Sequence, residues 1–135
     1  MGNFTNEGHR RKILVIDDDT DIVEIVELIL EGRSFDVYGC QNASNIMEVI
    51  KSFAPDLILL DIILEHESGI QICYELKKKI NIPVIFISAQ PREKIPIKLC
   101  NANDFIQKPF GVKELLNTIE HHLNSKSEHD LSYYV

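Results

Sequence analysis

The chain has 135 residues and a formal charge of −7, because 14 basic side chains stand against 21 acidic ones. This length fits one domain with its own hydrophobic core, and the acidic balance argues against nucleic-acid binding by this domain. No apolar run approaches the ~20 residues of a membrane-spanning helix, and the start of the chain lacks a signal peptide. Three cysteines without a CxxC pair indicate no disulfide framework, so we expect a cytoplasmic protein.

Five short apolar runs predict β-strands. They cover residues 13–16, 35–38, 57–60, 84–87 and 104–106. Three of these runs are continuously apolar, which is typical of strands that are buried on both faces. Their first residues lie 22, 22, 27 and 20 positions apart, so each gap has room for one helix and two loops.

Apolar residues at helical spacing predict four amphipathic helices. The first helix is expected to end at Gly32 and to be capped by Asp19, or by Asp21 paired with Glu24. A further helix is expected between the last two strands, the fourth of the five in chain order. Pro96 would interrupt it, so this helix is predicted to be short or distorted. The predicted core-facing residues are Ile22, Ile25, Val26 and Ile29, then Ala43, Ile46, Met47, Ile50 and Phe53, then Ile72, Cys73, Leu76 and Ile80, and finally Val112, Leu115, Leu116, Ile119 and Leu123.

Strands that alternate with helices imply a parallel sheet covered on both faces. We therefore predict an α/β protein with the flavodoxin-like (βα)5 fold, a three-layer sandwich around a five-stranded sheet of order 2-1-3-4-5. The chain direction reverses between strands 1 and 3 in this order. A ligand site is expected at the carboxyl ends of those two strands.

Polar residues follow four of the predicted strands and should gather at that edge. Asp17 and Asp18 follow the first strand, Asp61 the third, Ser88 the fourth and Lys108 the fifth. Clustered carboxylates either hold protons or bind a cation, and oxygen ligands without paired His or Cys favour Mg²⁺. Such a cation, Lys108 and Ser88 together suit a phosphoryl group, and Asp61 is the candidate nucleophile that would form an acyl phosphate.

These blocks resemble the receiver domain of two-component response regulators. The resemblance covers about residues 11–124. It rests on ILVIDD at 13–18, DLILLD at 56–61 with Gly69, PVIFISA at 83–89 and DFIQKPF at 104–110. An acidic pair after a strand is weak evidence for this family by itself, whereas four sequence blocks in the right order are strong evidence together.

The resemblance implies a phosphoacceptor and a metal site. Asp61 would be the phosphoacceptor. Mg²⁺ would be held by Asp17, Asp18, Asp61 and the backbone carbonyl of Ile63. Of the two aspartates after the first strand, Asp18 is the one expected to ligate the ion directly.

The resemblance also implies a phosphoryl-binding lysine and two switch residues. Lys108 would bind the phosphoryl group and precede a cis peptide bond to Pro109. Ser88 would be the switch hydroxyl, and Phe105 would occupy the position of the switch aromatic residue. The expected partners are a sensor histidine kinase or a phosphotransfer protein, together with an unknown downstream protein.

The sequence departs from the family pattern in several places. Glu65 stands where the family usually has proline, and Asn101 replaces a usual glycine, which is tolerable because Asn accepts a left-handed conformation. Phe105 lacks the hydroxyl that many relatives carry at this position. The 20 positions from Ser88 to Lys108 are about two fewer than is typical.

The resemblance predicts a signalling switch in a phosphorelay, not an enzyme, although it would assist its own phosphorylation and dephosphorylation. We expect a flexible segment at 1–11, the receiver domain at 12–124 and a C-terminal tail at 125–135. It is either a stand-alone receiver or a domain of a larger protein.

Two alternatives remain open. A phosphatase similar to haloacid dehalogenases would use Asp17 as nucleophile and Asp19 as acid, although Asp21 stands where such enzymes usually have Thr. A degenerate receiver would bind its partners without being phosphorylated.

Overall fold

The computed structural model describes residues 10–132, with side chains as far as Asn124. Most of the predicted N-terminal segment 1–11 and the end of the predicted tail 125–135 lie outside the described residues. No helix in the described range combines the length and the apolar character that crossing a bilayer demands. The elements are β1 (Lys12–Ile16), α1 (Thr20–Glu31), β2 (Asp36–Cys40), α2 (Ile46–Phe53), β3 (Leu57–Asp61), α3 (Gly69–Lys77), β4 (Val84–Ser88), a 3₁₀ helix (Arg92–Lys94), β5 (Asp104–Gln107) and α4 (Val112–Ser132).

The five strands form one parallel sheet of order β2-β1-β3-β4-β5. This order confirms the predicted flavodoxin-like fold. Every residue of β3 and β4 is buried, because helices and connections cover both faces of the central strands. The outer strand β2 is partly exposed along its whole length.

The core consists of two layers, one on each face of the sheet. Residues of α1 and α4 pack on one face, and residues of α2, α3 and the β4–β5 connection pack on the other. Burial of these apolar side chains is the main force that holds the helices to the sheet. Successive side chains of a strand point to opposite faces of the sheet. Alternate residues of each apolar run therefore belong to opposite layers of the core.

Two residues that were predicted to face the core are exposed. Ile25 is 49% exposed and Val112 is 50% exposed. The buried face of α1 is instead centred on Val23, Val26 and Leu30, because the contact with the sheet is narrower than the apolar stripe in the sequence.

The β4–β5 connection confirms the prediction of a short or distorted helix between the last two strands. It has only the 3₁₀ helix, followed by a turn in which the Pro96 carbonyl accepts from the Leu99 and Cys100 amides. Pro96 has no N–H to donate to a continuing helix. Asn101 adopts the predicted left-handed conformation, with φ of 62°. A surface cavity of about 660 Å³ lies along residues 92–99.

Candidate functional site

Three carboxylates meet where β1 and β3 end. Ile16 of β1 pairs with Leu60 of β3, so the residues that follow them emerge side by side at the carboxyl edge of the sheet. Asp17, Asp18 and Asp61 each have a carboxylate oxygen within 4.8 Å of the other two. The sheet therefore brings together three acidic groups that are up to 44 positions apart in the sequence.

The acidic run after β1 has three residues with three different environments. Asp17 is fully buried, and its Oδ1 accepts from the Asp19 amide at 2.9 Å. Asp19 is the cap of α1, since its carboxylate accepts from the Asp21 amide at 3.0 Å, which confirms the first of the two predicted caps. Asp18 is exposed at the edge of the sheet, where it can reach a solvated cation.

Lys108 connects the end of β5 to the acidic cluster. Its amide donates to the Ser88 carbonyl at 2.8 Å, and its peptide bond to Pro109 is cis, as predicted. Its Nζ lies 2.8 Å from Asp17 Oδ2 and 3.4 Å from Asp61 Oδ2. One ammonium group thus contacts two of the three clustered carboxylates, so the site keeps an excess of negative charge when all three are ionised.

Burial and this crowding shift the protonation of the site. The pKa of Asp61 is raised to about 6, mainly by burial and then by the charge of Asp17, while the Lys108 ammonium acts in the opposite direction. Burial lowers the pKa of Lys108, but the contacts with Asp17 and Asp61 outweigh burial, and the net shift is upward. Lys108 therefore stays charged, and a further positive charge at the site would lower the pKa of Asp61 back toward its ordinary value.

The turn after β3 lies directly against Asp61. The Ile63 amide donates to Asp61 Oδ1 at 3.2 Å, and among the described residues no donor is bonded to the Ile63 carbonyl oxygen. Gly69 returns so close that a Cβ there would lie 2.2 Å from the Asp61 carbonyl oxygen. Only glycine fits, so this close approach fixes the path of the turn.

Ser88 and Phe105 lie on the two strands beyond Asp61. Asp61 pairs with Ile87, so Ser88 lies one residue further along β4, and its Oγ accepts from the Gln90 amide at 3.1 Å. Phe105 pairs with Phe86 and is buried. Because side chains alternate along a strand, Ser88 and Phe105 lie on the same face of the sheet.

The donor set fits a hard divalent cation. The cluster offers carboxylate and carbonyl oxygens, which are the ligands that Mg²⁺ prefers. Asp17 Oδ2 is completely buried and accepts no hydrogen bond of good geometry from residues in the described part of the chain, although the Lys108 ammonium lies beside it. A buried carboxylate oxygen in this state favours a cation nearby.

One residue that bears on the site was not singled out from the sequence. Glu67, in the turn after β3, accepts from the Ala43 amide at 3.0 Å. In the sequence it is one of several acidic loop residues, and no periodic pattern or motif distinguishes it. The contact depends on how the loops after β2 and β3 meet.

Comparison with known proteins gives a family match and similar structures. The family model of the response regulator receiver domain matches residues 13–120. A CheY-like response regulator receiver domain protein from Methanospirillum hungatei has 23% identity and a TM-score of 0.82, over 90% of this chain and 99% of that chain. At that identity the likeness shows the fold alone.

Two further structures are similar at higher identity. The BeF3-activated N-terminal receiver domain of RstA from Klebsiella pneumoniae has 27% identity and a TM-score of 0.78, over 84% of this chain and 98% of that chain. NtrX from Brucella abortus, in complex with ADP, has 30% identity and a TM-score of 0.82, over 92% of this chain and 30% of that chain.

Proposed function

Because this chain belongs to the response regulator receiver domain family, we propose that it accepts a phosphoryl group on Asp61 and acts as a signalling switch. The observation that supports the proposal most is the convergence of Asp17, Asp18 and Asp61 within 4.8 Å, with Lys108 in contact with two of them. A nucleophile, a cation site and a phosphoryl-binding ammonium group are the parts that phosphoryl transfer to a carboxylate requires.

Asp17, Asp18, Asp61 and the Ile63 carbonyl would hold Mg²⁺. When bound, the ion supplies positive charge to the phosphoryl oxygens and orients them for attack. Asp18 is the exposed member of the set and suits direct ligation, whereas Asp17 is buried and paired with Lys108. A cation at this place also favours the ionised form of Asp61, which is the form that attacks.

The transfer uses the carboxylate of Asp61 as nucleophile. One oxygen attacks the phosphorus of a phosphohistidine, the P–N bond breaks, and the histidine nitrogen leaves with the electron pair and takes up a proton. The product is an acyl phosphate on Asp61. Lys108, which lies 3.4 Å from Asp61 Oδ2, moves its contact to a phosphoryl oxygen.

Ser88 transmits the new charge. Its hydroxyl, now bonded by the Gln90 amide, would turn to donate to a phosphoryl oxygen, and the loop after β4 would follow. Phe105 lies on the same face and would move into the space that this shift opens. The result is a population shift in the β4–β5 connection, β5 and α4, where a downstream protein would bind.

The receiver domain would span 12–124, with the segments 1–11 and 125–135 outside it. The phosphodonor would be a sensor histidine kinase or a phosphotransfer protein in the cytoplasm, and this domain would bind neither nucleic acid nor membrane. As a receiver it is a signalling domain, and its chemistry is limited to its own phosphorylation and dephosphorylation.

Intact-mass analysis after exposure to Mg²⁺ and acetyl phosphate tests the proposal. Wild type should gain the mass of one phosphoryl group, and chelation of Mg²⁺ should prevent the gain. The Asp61→Asn variant should gain nothing. The Asp56→Asn variant is the matched control, since Asp56 lies just before β3 at the opposite edge of the sheet, where it accepts from the Lys12 amide; it should be labelled like wild type.

The same preparations distinguish the alternatives. Repeated turnover of a phosphate ester that Asp17→Asn abolishes and Asp61→Asn does not would support the phosphatase. Beryllofluoride activates the RstA receiver domain, so it is a suitable mimic of the phosphoryl group. If the chain gains no mass with acetyl phosphate and shows no spectral response to beryllofluoride, the degenerate receiver is the better description.

A further inference from the structure

The turn between β3 and α3 is closed by its own backbone. Leu64 and Glu67 exchange backbone hydrogen bonds of 3.3 and 3.5 Å, and the Gly69 amide donates to the Ile62 carbonyl at 2.7 Å. The side chains of Ile62 and Leu64 are buried, whereas Ile63 between them is 56% exposed. The turn therefore moves as one unit, and the place of the Ile63 carbonyl depends on how that unit is held.

Glu67 ties this unit to another part of the chain. Its Oε1 accepts from the Ala43 amide at 3.0 Å, and Ala43 is buried just before α2. A carboxylate that accepts from a buried backbone amide makes a charge-assisted hydrogen bond. Glu65, two residues earlier in the same turn, is exposed and lies 3.5 Å from the exposed His66. Of the two acidic residues of this turn, Glu67 thus contacts a distant segment of the chain, whereas Glu65 contacts its neighbour in the sequence.

The bond crosses the end of the strand that carries the acidic run. β1 lies between β2 and β3 in the sheet. Ala43 follows β2 and Glu67 follows β3, so their hydrogen bond joins the two loops that flank Asp17 and Asp18. The turn that carries the Ile63 carbonyl is thereby tied to the loop on the other side of the carboxylates that follow β1.

We infer that Glu67 is a positioning residue of the cation site, an inference that rests on the function proposed above. Through its bond to the Ala43 amide, Glu67 places the Ile63 carbonyl where a cation on Asp18 and Asp61 can use it. Glu67 is not itself a ligand. Because the same bond reaches the start of α2, binding of Mg²⁺ also changes the environment of the Ala43 amide.

The experiment is a Mg²⁺ titration of the full chain, followed by calorimetry and by amide NMR. Glu67→Asp keeps the charge but shortens the side chain, so it removes the bond without changing the electrostatics of the turn. Glu67→Gln removes the charge and keeps an acceptor. The matched controls are Glu65→Asp and Glu65→Gln in the same turn. The Ala43 amide resonance reports directly whether the bond is present in each variant.

We expect Glu67→Asp to weaken Mg²⁺ binding about tenfold, because residues that orient metal ligands usually contribute this much. Glu65→Asp should stay within about twofold of wild type, and Glu67→Gln should match Glu65→Gln. In wild type the Ala43 amide should shift on addition of Mg²⁺, and in Glu67→Asp this shift should be lost. Glu67→Ala should also lose this shift, and its Mg²⁺ affinity should be at least as low as that of Glu67→Asp.

Equal Mg²⁺ affinity in Glu67→Asp and Glu65→Asp, with the Ala43 bond broken in the former, would overturn the inference. So would a loss of affinity in Glu67→Gln with none in Glu67→Asp, since charge and not geometry would then be responsible. A wild-type chain that binds no Mg²⁺ would instead refute the proposed cation site as a whole. The two failures are therefore distinguishable.

Discussion

Replacing Asp61 with Asn should stabilise the protein when Mg²⁺ is removed. Asp61 is buried beside the Asp17 carboxylate, and the single ammonium of Lys108 does not offset both charges. The fold therefore carries an ionised carboxylate in an environment that disfavours it. Asparagine has nearly the same shape and no charge.

The magnitude follows from the pKa of Asp61, which is about 6 in the folded protein against an ordinary value of 3.8. A shift of about two pKa units corresponds to about 3 kcal/mol. Since the folded state holds the proton more tightly than the unfolded chain, this contribution to stability is complete below the unfolded pKa. It is lost as the pH rises through the folded pKa. The Asn variant does not suffer this loss, so its advantage should grow between about pH 4 and pH 6.

Urea unfolding followed by far-UV circular dichroism measures the effect, because the chain has no tryptophan to report by fluorescence. In chelator, Asp61→Asn should exceed wild type by about 1–3 kcal/mol at about pH 8, and the gap should close toward about pH 4. Added Mg²⁺ should stabilise wild type more than the variant. Glu24→Gln, which removes an exposed charge from α1, should show no such pH dependence. The reasoning would be refuted if the difference in unfolding free energy between Asp61→Asn and wild type did not depend on pH. It would also be refuted if wild type were more stable than the variant at alkaline pH.

Three further outcomes are expected from the same structure. Lys108→Ala should cost about 3 kcal/mol in chelator, because it leaves Asp17 buried without a cation, and Mg²⁺ should restore part of the loss in urea unfolding. Gly69→Ala should lower the unfolding free energy by about 3 kcal/mol or more, since its Cβ would overlap backbone atoms, whereas Gly111→Ala has open space and should change it by less than about 1 kcal/mol. The Cys73 thiol, buried and with its pKa raised to about 12 mainly by burial, should resist an aromatic disulfide reagent until the protein unfolds in urea.

The fold was predictable from the sequence because its signals are local. The strands at 57–60 and 84–87 are continuous apolar runs, and each was found within one residue of its predicted bounds. Pro96 sufficed to predict that the helix between the last two strands would be short or distorted, since proline lacks the N–H that a continuing helix needs. The buried helix faces were not fully predictable: Ile25 belongs to an apolar stripe, but only docking against the sheet decides which part of the stripe is covered.

The sequence by itself determined the order of the elements and the residues that stand at the strand ends, because hydrophobic periodicity and strand length act within a few residues of the chain. Only the tertiary structure decided how far apart those residues lie. It brought Lys108 to 2.8 Å from Asp17 and carried the Glu67 carboxylate to the Ala43 amide. Such contacts depend on strand register and loop closure between distant segments, and no local pattern encodes them.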